Sequence, residues 1–225
     1  MKKYVIIVAG GCGLRMQSGI PKQFLNVSGK PVLSYSLDAF RNAIPDISII
    51  LVLPEEHVVT WQRILRDQHL NFDHTIVIGG ETRAQSVKNG LQRISEPGLV
   101  AIHDGVRPLI TPLIIKRLFS EADKFGSAIP VIPVTDTVRQ IKGDLSILID
   151  RNHLRLVQTP QVFQSDTLLK AYATNCSGSF TDDAAVIEAN GFKLHLSEGD
   201  PENIKLTNPL DLIFAEAILL QRKSL

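Results

Sequence analysis

Cysteine is scarce in this sequence. Only Cys12 and Cys176 occur in 225 residues, and they lie far apart with no metal-ligand spacing. This excludes a disulfide-stapled secreted domain and a cysteine-based zinc site. We expect both residues to be thiols in a reducing, cytoplasmic environment.

Excess charge and long apolar segments are also lacking. The formal net charge is +1, so no global field favours nucleic acid or an anionic membrane, and any anion site has to be local. No apolar run is long enough to span a bilayer. The opening MKKYVIIVAGG resembles a signal peptide only superficially, because its short apolar stretch runs into glycine and charge. We expect neither a nucleic acid nor a membrane partner.

Several familiar catalytic motifs are absent. Gly11-Cys12-Gly13 supplies half of a dinucleotide fingerprint, but Met16 occupies the third glycine position, where a small residue lets helix and strand pack closely. An NAD-dependent oxidoreductase is therefore disfavoured. The sequence contains no Walker loop, no G-x-S-x-G elbow and no H-E-x-x-H helix, so it offers none of these nucleophile or metalloprotease signals.

Strand-like and helix-like segments alternate over the first part of the chain. Hydrophobic residues make up 44% of the sequence, enough for a sizeable core. Continuous apolar runs predict buried strands, and amphipathic stretches between them predict helices. The predicted strands are 4–9, 47–53, 75–78, 99–102 and 128–132; the predicted helices are 32–40, 54–68, 82–94, one from 112, 165–174, 182–189 and 209–221. This pattern predicts a Rossmann-like α/β fold, a mostly parallel sheet with helices on both faces, in a single domain spanning 1–225.

The alternation breaks at about residues 133–156. This segment is more polar and contains a Lys142-Gly143-Asp144 turn, which predicts a β-hairpin arm that projects from the core. A lone hairpin is marginal in water and cannot bury its own apolar residues. Those residues are Ile141, Leu145, Ile147, Leu148 and Ile149. We expect a second copy of the chain to cover them, which makes the protein a homodimer through its arm.

Three polar loops follow predicted strands: GGCGLRM, GGETRAQS and HDGVRP. Ligands of open α/β sheets bind outside the carboxyl ends of the strands, so we expect the loops to share one site. Backbone N–H groups in the glycine loop and the neighbouring cations suit phosphate groups, and a strand-end aspartate suits Mg²⁺ or another divalent cation. The residues concerned are Gly10, Gly11, Gly13, Arg15, Lys22 and Asp104.

A set of motifs then links the chain to a known family. The motifs are AGGCGLRM at 9–16, PKQF at 21–24, HDGVRP at 103–108, DRN at 150–152, TPQ at 159–161, TDDA at 181–184 and NIKLT at 203–207. In order and spacing they resemble the cytidylyltransferases of isoprenoid biosynthesis, over nearly the whole chain. The resemblance implies transfer of the cytidylyl group of CTP to 2-C-methyl-D-erythritol 4-phosphate, giving CDP-methylerythritol and pyrophosphate.

The same resemblance implies residue roles. It implies that the nucleotide is wrapped and its cytosine read by Ala9, Gly10, Gly11, Gly13, Gly80, Glu81 and Ser86, with Arg83 supporting that loop. It implies that Asp104 and the backbone of Gly105 meet the ribose and metal region. It implies that Arg15, Lys22 and Lys205 surround the reacting phosphates, and that Arg107, Thr181 and Lys205 hold the sugar phosphate. It implies that Arg151 comes from the arm of a partner subunit.

Two alternatives stay open at this point. Ribitol-5-phosphate cytidylyltransferase shares the glycine loop, PKQF, the aspartate motif and TPQ, although RAQSVKNGL and DRNHL are more similar to the isoprenoid enzymes. A non-catalytic nucleotide-binding module would predict the loss of Lys22, Asp104 or Lys205, and all three are present.

Overall fold

The computed structural model describes residues 1–11, 20–174 and 180–224. Its strands are β1 (Lys2–Val8), β2 (Asn26–Val27), β3 (Lys30–Pro31), β4 (Ser48–Leu53), β5 (Thr75–Ile78), β6 (Gly98–Asp104), β7 (Ser127–Pro133), β8 (Val138–Lys142), β9 (Leu145–Ile149), β10 (Arg155–Val157), β11 (Gln161–Gln164) and β12 (Leu196–Glu198). Its helices are α1 (Val32–Ala43), α2 (Glu55–Asp67), α3 (Arg83–Leu91), α4 (Pro112–Phe125), α5 (Ser165–Ala173), α6 (Asp183–Ala189) and α7 (Pro209–Lys223), with 3-10 turns at Lys22–Phe24 and Arg151–His153. None of the described helices is long and apolar enough to cross a membrane.

The main sheet has the order β10-β7-β11-β6-β1-β4-β5, and β12 pairs with β7. The strands β6, β1, β4 and β5 run parallel to their neighbours in this group. The strand β11 is antiparallel to both β6 and β7. The predicted Rossmann-like, mostly parallel sheet is confirmed, with an antiparallel strand inserted beside its centre.

Both faces of the sheet are buried under helices. On one face Val5 and Ile7 pack in a cluster with residues of α1 and α4 and with Trp61 of α2. On the other face Tyr4 and Ile6 pack with residues of α3, α5 and α6. Because neighbouring residues of a strand point to opposite faces, a strand buried on both sides has to be apolar throughout, as KKYVIIV is after its lysines.

Threonine side chains cap the starts of two helices. The Thr111 side chain accepts from the backbone N–H of Ile114, with Pro112 at the first helical position, so α4 begins as predicted. The Thr82 side chain accepts from the N–H of Gln85 at 3.1 Å. Only the Thr82 half of a capping box is present at this helix start, and the Gln85 side-chain amide donates to Asn89 Oδ1 at 2.8 Å.

The predicted arm is present as the β8–β9 hairpin, whose strands pair in antiparallel register from Val138↔Ile149 to Lys142↔Leu145. Gly143 in its turn has φ +57°, a left-handed backbone that glycine adopts without strain. Ile141, Leu145 and Leu148 are 67%, 67% and 62% exposed. In this register Ile141 and Leu148 lie on one face of the hairpin and Leu145 on the other, so the hairpin carries uncovered apolar side chains on both faces in the single chain.

Candidate functional site

The first cavity, of about 260 Å³, opens at the carboxyl ends of β1, β4, β5 and β6. All three loops predicted to converge contribute to its lining, together with two lysines that are distant in sequence. The predicted site residues that line it are Ala9, Gly10, Gly11, Lys22, Gly80, Glu81, Arg83, Ser86, Asp104 and Lys205. The sheet topology thus gathers these residues around one space.

The loop between β5 and α3 is held by the Ser86 hydroxyl. The N–H of Gly80 donates to Ser86 Oγ at 3.1 Å, and this hydroxyl can donate back to the carbonyl of Gly80 at 3.4 Å. A Cβ at Gly80 would lie 2.1 Å from Cγ and 2.6 Å from Cβ of Gln85. Glycine is therefore required where the loop folds onto the first turn of α3.

Lys22 reaches the cavity from the 3-10 turn of the PKQF segment. Its Nζ donates to the carbonyl of Leu206 at 3.0 Å. The neighbouring Gln23 is fully buried and donates from Nε2 to the carbonyl of Ala9 at 2.8 Å. These bonds tie the lysine segment both to the glycine loop and to the segment that carries Lys205.

Asp104, at the end of β6, lies among three cations. Its carboxylate is 2.8 Å from Lys205 Nζ, 3.4 Å from Arg83 Nε and 3.7 Å from Arg107 Nε. Burial by itself acts to raise the pKa of Asp104, but Arg83, Lys205 and Arg107 outweigh it and hold the pKa well below its usual range. Asp104 is therefore a carboxylate at any physiological pH.

Arg83 and Arg107 respond differently to their surroundings. Burial acts to lower the pKa of Arg83, but Asp183 and Asp104 outweigh it and raise the pKa. Burial lowers the pKa of Arg107, with Asp104 acting in the opposite direction. Arg107 Nη1 also donates to the carbonyl of Asn203 at 2.7 Å, so this side chain is anchored within the fold beside the site.

A second cavity, of about 430 Å³, adjoins the first. Arg83, Asp104 and Lys205 line both cavities. Arg107 and Thr181, which are predicted to hold the sugar phosphate, line only the second. Two ligands in the two cavities would thus share a wall formed by one carboxylate and two cations.

The remaining predicted residues are placed differently. Gly13 and Arg15 lie outside the described residues. Gly105 lines neither cavity; it is buried, and its N–H donates to the carbonyl of Val8 at 2.9 Å. Arg151 is exposed and donates to the carbonyl of Thr135, and it too lines neither cavity. Within one chain, Arg151 is not part of the site.

Two supporting residues were not predicted as site residues. The hydroxyl of Thr159 accepts from the backbone N–H of Asp104 at 3.0 Å and so orients the end of β6. The carboxylate of Asp183 lies 2.7 Å from Arg83 Nη2. Both residues lie inside motifs noted in the sequence, TPQ and TDDA, but no local pattern indicates partners 55 and 100 residues away.

Comparison with known proteins agrees with this arrangement. The family model described as IspD: 2-C-methyl-D-erythritol 4-phosphate cytidylyltransferase matches residues 3–221. The chain belongs to this family. The resemblance inferred from the motifs is therefore confirmed, and members of the family are cytidylyltransferases, a class of nucleotidyltransferase.

Individual relatives match over nearly their full length. A protein of Bacteroides thetaiotaomicron named 2-C-methyl-D-erythritol 4-phosphate cytidylyltransferase is 48% identical over 219 residues, covering 97% of this chain and 100% of the relative. The crystal structure of the enzyme of that name from Thermus thermophilus has a TM-score of 0.80 at 33% identity, covering 97% of this chain and 98% of that one. A 4-diphosphocytidyl-2C-methyl-D-erythritol synthase structure from Anaerococcus prevotii has a TM-score of 0.82 at 29% identity, with the same coverage.

The donor set at the site bears on the predicted divalent cation. Among the described residues, no group of three or more His, Cys, Asp or Glu side chains could hold a metal by itself. Asp104 offers one carboxylate and is already 2.8 Å from Lys205 Nζ. Mg²⁺ commonly takes one or two carboxylates together with substrate phosphates. The residues thus fit a cation that binds with a nucleotide.

Proposed function

We propose that this protein transfers the cytidylyl group of CTP to 2-C-methyl-D-erythritol 4-phosphate, releasing CDP-methylerythritol and pyrophosphate. The observation that carries the proposal is the shared wall of the two cavities, in which Arg83, Asp104 and Lys205 face both spaces. A nucleotide in the first cavity and a sugar phosphate in the second would place two anions on either side of these residues. Family membership supplies the identity of the substrates.

The reaction proposed is an in-line displacement. A phosphate oxygen of methylerythritol phosphate forms a bond to the α-phosphorus of CTP, and the bond from that phosphorus to the bridging oxygen of pyrophosphate breaks. The attacking phosphate is already largely ionised near neutral pH, because the second pKa of a phosphate monoester is about 6. No general base is required, and positioning and charge neutralisation carry the catalysis.

The main barrier to this reaction is electrostatic repulsion between the phosphate of the acceptor and the triphosphate of CTP. The cations of the site reduce this repulsion. We assign Lys22 to the triphosphate in the first cavity, where it lies at the wall, and Lys205 to the region between the cavities. Arg15 is assigned beside them on the basis of the motif. Arg107 and Thr181, which line the second cavity, are assigned to the sugar phosphate. Preorganised charges of this kind stabilise the negative charge that develops in the transition state.

Asp104 is the residue we assign to a divalent cation, with Mg²⁺ as the expected ion. When bound, the ion supplies positive charge to the nucleotide phosphates. Lys205 Nζ occupies one oxygen of Asp104 in the free chain, so the lysine has to give way or share that oxygen. We therefore expect the ion to enter with CTP, which brings phosphate oxygens of its own.

The arm and Arg151 support a homodimer as the working unit. Apolar side chains on both faces of the hairpin are exposed in one chain, and Arg151 lies at the base of the arm away from both cavities. We propose that a second copy covers the hairpin and that each Arg151 completes the partner's sugar-phosphate site. A cytoplasmic location, supported by the low cysteine content, and the absence of nucleic acid partners, supported by the near-neutral charge, belong to the same proposal.

A mixed-subunit assay tests the shared site. One chain carries Lys22→Ala and the other carries Arg151→Ala, and each variant alone is expected to be strongly impaired. If Arg151 acts across the interface, the mixed dimer regains one intact site and activity returns on mixing. No recovery, in a sample where chain exchange is demonstrated, contradicts this part of the proposal.

The function itself is tested by product formation. Purified protein is incubated with CTP, methylerythritol phosphate and Mg²⁺, and pyrophosphate release and the CDP-sugar are measured. Ribitol 5-phosphate, the other nucleoside triphosphates and a reaction without acceptor serve as controls. Transfer to ribitol 5-phosphate at an equal or higher rate, or pyrophosphate release that does not depend on an acceptor, would refute the proposed function.

A further inference from the structure

Asp183 is a buried acid next to the site that cannot touch a substrate. It is the first residue of α6, its relative exposure is 0%, and it lines neither cavity. Burying an isolated carboxylate is unfavourable unless it is paired and hydrogen-bonded. Its partners therefore indicate why an acid is present at this position.

Both oxygens of Asp183 have a strong partner. The hydroxyl of Tyr172 donates to Oδ1 at 2.6 Å, and Arg83 Nη2 donates to Oδ2 at 2.7 Å. Tyr172 is only 2% exposed and lies in α5 within the apolar cluster on one face of the sheet. The carboxylate is thus fixed from behind by the core, and it presents one oxygen to the guanidinium.

Arg83 connects this buried acid to the site. Its guanidinium lies between Asp183, at 2.7 Å from Nη2, and Asp104, at 3.4 Å from Nε. The shorter contact is the one to Asp183. Arg83 is also the first residue of α3, directly after the loop that carries Gly80 and Glu81, so the anchor on its side chain holds the end of that loop.

The charges around Asp104 show what Asp183 contributes. Arg83, Arg107 and Lys205 all lie within 4 Å of the single Asp104 carboxylate. Asp183 supplies a second negative charge and holds Arg83 by it. In an Asp183→Asn variant, Asp104 would be the remaining carboxylate that pairs with Arg83. The Arg83 guanidinium would then compete with Lys205, the ribose and the metal ion for the Asp104 oxygens.

We propose that Asp183, oriented by Tyr172, is a positioning residue for the nucleotide: it acts through Arg83 to fix the loop at 80–83 and to keep Asp104 accessible. This inference rests on the cytidylyl transfer proposed above and names a device that supports its CTP site. The geometry assigns the effect to the first cavity, because the loop held by Arg83 lines that cavity.

The experiment compares Asp183→Asn and Tyr172→Phe with Tyr4→Phe as a matched control. Tyr4 is also 2% exposed, and its hydroxyl also bonds within the fold, to Ser95 and the carbonyl of Glu96, but it lies away from both cavities. For Asp183→Asn we expect the KM for CTP and the Kd of Mg·CTP to rise about 10- to 100-fold, as for other residues that support ligating groups. Tyr172→Phe keeps the ion pair, and we expect a smaller rise of the same kind.

The control separates positioning from folding. Both tyrosine variants are expected to lose a similar amount of thermal stability, while only Tyr172→Phe weakens CTP binding, measured by calorimetry without turnover. If Tyr172→Phe binds Mg·CTP as Tyr4→Phe does, the inference is wrong even if Asp183→Asn fails to fold. In that outcome, cytidylyl transfer by the wild-type protein would show that the proposed function still holds although the positioning role of Asp183 does not. If the wild type transfers no cytidylyl group, the proposed function fails and the inference fails with it.

Discussion

Acidification is expected to destabilise this protein through His103, the residue before Asp104. The His103 ring is fully buried and packs edge-on against Phe40 at 5.3 Å between centroids. Its Nε2 lies 3.3 Å from the carbonyl of Arg107, which can only accept, so Nε2 carries the proton. Its Nδ1 lies 3.2 Å from Thr159 Oγ1, a hydroxyl that can donate to it. The neutral ring therefore satisfies both partners.

The magnitude follows from the pKa of this ring. Burial is the largest cause and outweighs the opposing effect of Asp104; with a smaller contribution from Arg107, it lowers the pKa of His103 from 6.5 to about 4. Between these values the unfolded chain binds a proton that the native protein does not, so stability rises with pH. The stabilisation is present above pH 6.5 and is lost as the pH falls to 4. At 1.36 kcal/mol per unit, the total loss is about 3 kcal/mol.

The assay is urea denaturation between pH 7.5 and 4.5, with chelator and without nucleotide. Wild type is compared with His103→Gln, which lacks the titrating ring, and with His69→Asn as a control at an exposed histidine of φ +51°, a backbone that asparagine tolerates. The pH-dependent loss should shrink in His103→Gln and persist in His69→Asn. Equal pH dependence in all three proteins would refute the reasoning. If His103→Gln does not fold, an NMR titration showing that the folded ring ionises near pH 6.5 would refute it as well.

Three further predictions concern other parts of the structure. Lys22→Ala should lower kcat by about 10²–10³, as expected for one preorganised donor, and steady-state kinetics within a few-fold of wild type would contradict the assignment. Asp211→Ala should lower the free energy of unfolding by about 1 kcal/mol, because Asp211 Oδ2 accepts from the backbone of Thr207 and Asn208 at the start of α7; Asp67→Ala, at an exposed helix end, is the control in urea denaturation. Gly90→Ala should destabilise by about 1–2 kcal/mol, since overpacking against Ile6 at 2.8 Å outweighs the gain in helix propensity; an increase in Tm would contradict the packing.

Much of the fold was predictable because most of its helices and strands are determined by residue patterns within each segment. The predicted strand 75–78 agrees with β5 at both ends, and the helix predicted at 182–189 begins one residue later, with Asp182 as its cap. The short strands β10, β11 and β12 were not predicted. Their three or four residues are too few to establish a period, and only their pairing with β6 and β7 makes them strands.

The candidate site was predictable to the extent that it follows from topology. Loops after parallel strands meet at one edge, so the sequence pattern was enough to place Gly10, Gly80 and Asp104 together. The structure agrees for these residues. The role of Arg151 stays a prediction, because it was assigned to the site of a partner subunit and one chain by itself leaves Arg151 outside both cavities.

The amino-acid sequence alone determined the alternation of elements, the location of the polar loops and the family, because each depends on residues close together or on motifs in a set order. Only the tertiary structure decided which charges are paired. Arg83 and Asp183 are 100 residues apart, and Lys205 reaches Asp104 across a similar separation, so no local preference encodes these contacts. They exist because the sheet brings the ends of its strands and the start of α6 within the few ångströms over which charges in a partly buried site act strongly on one another.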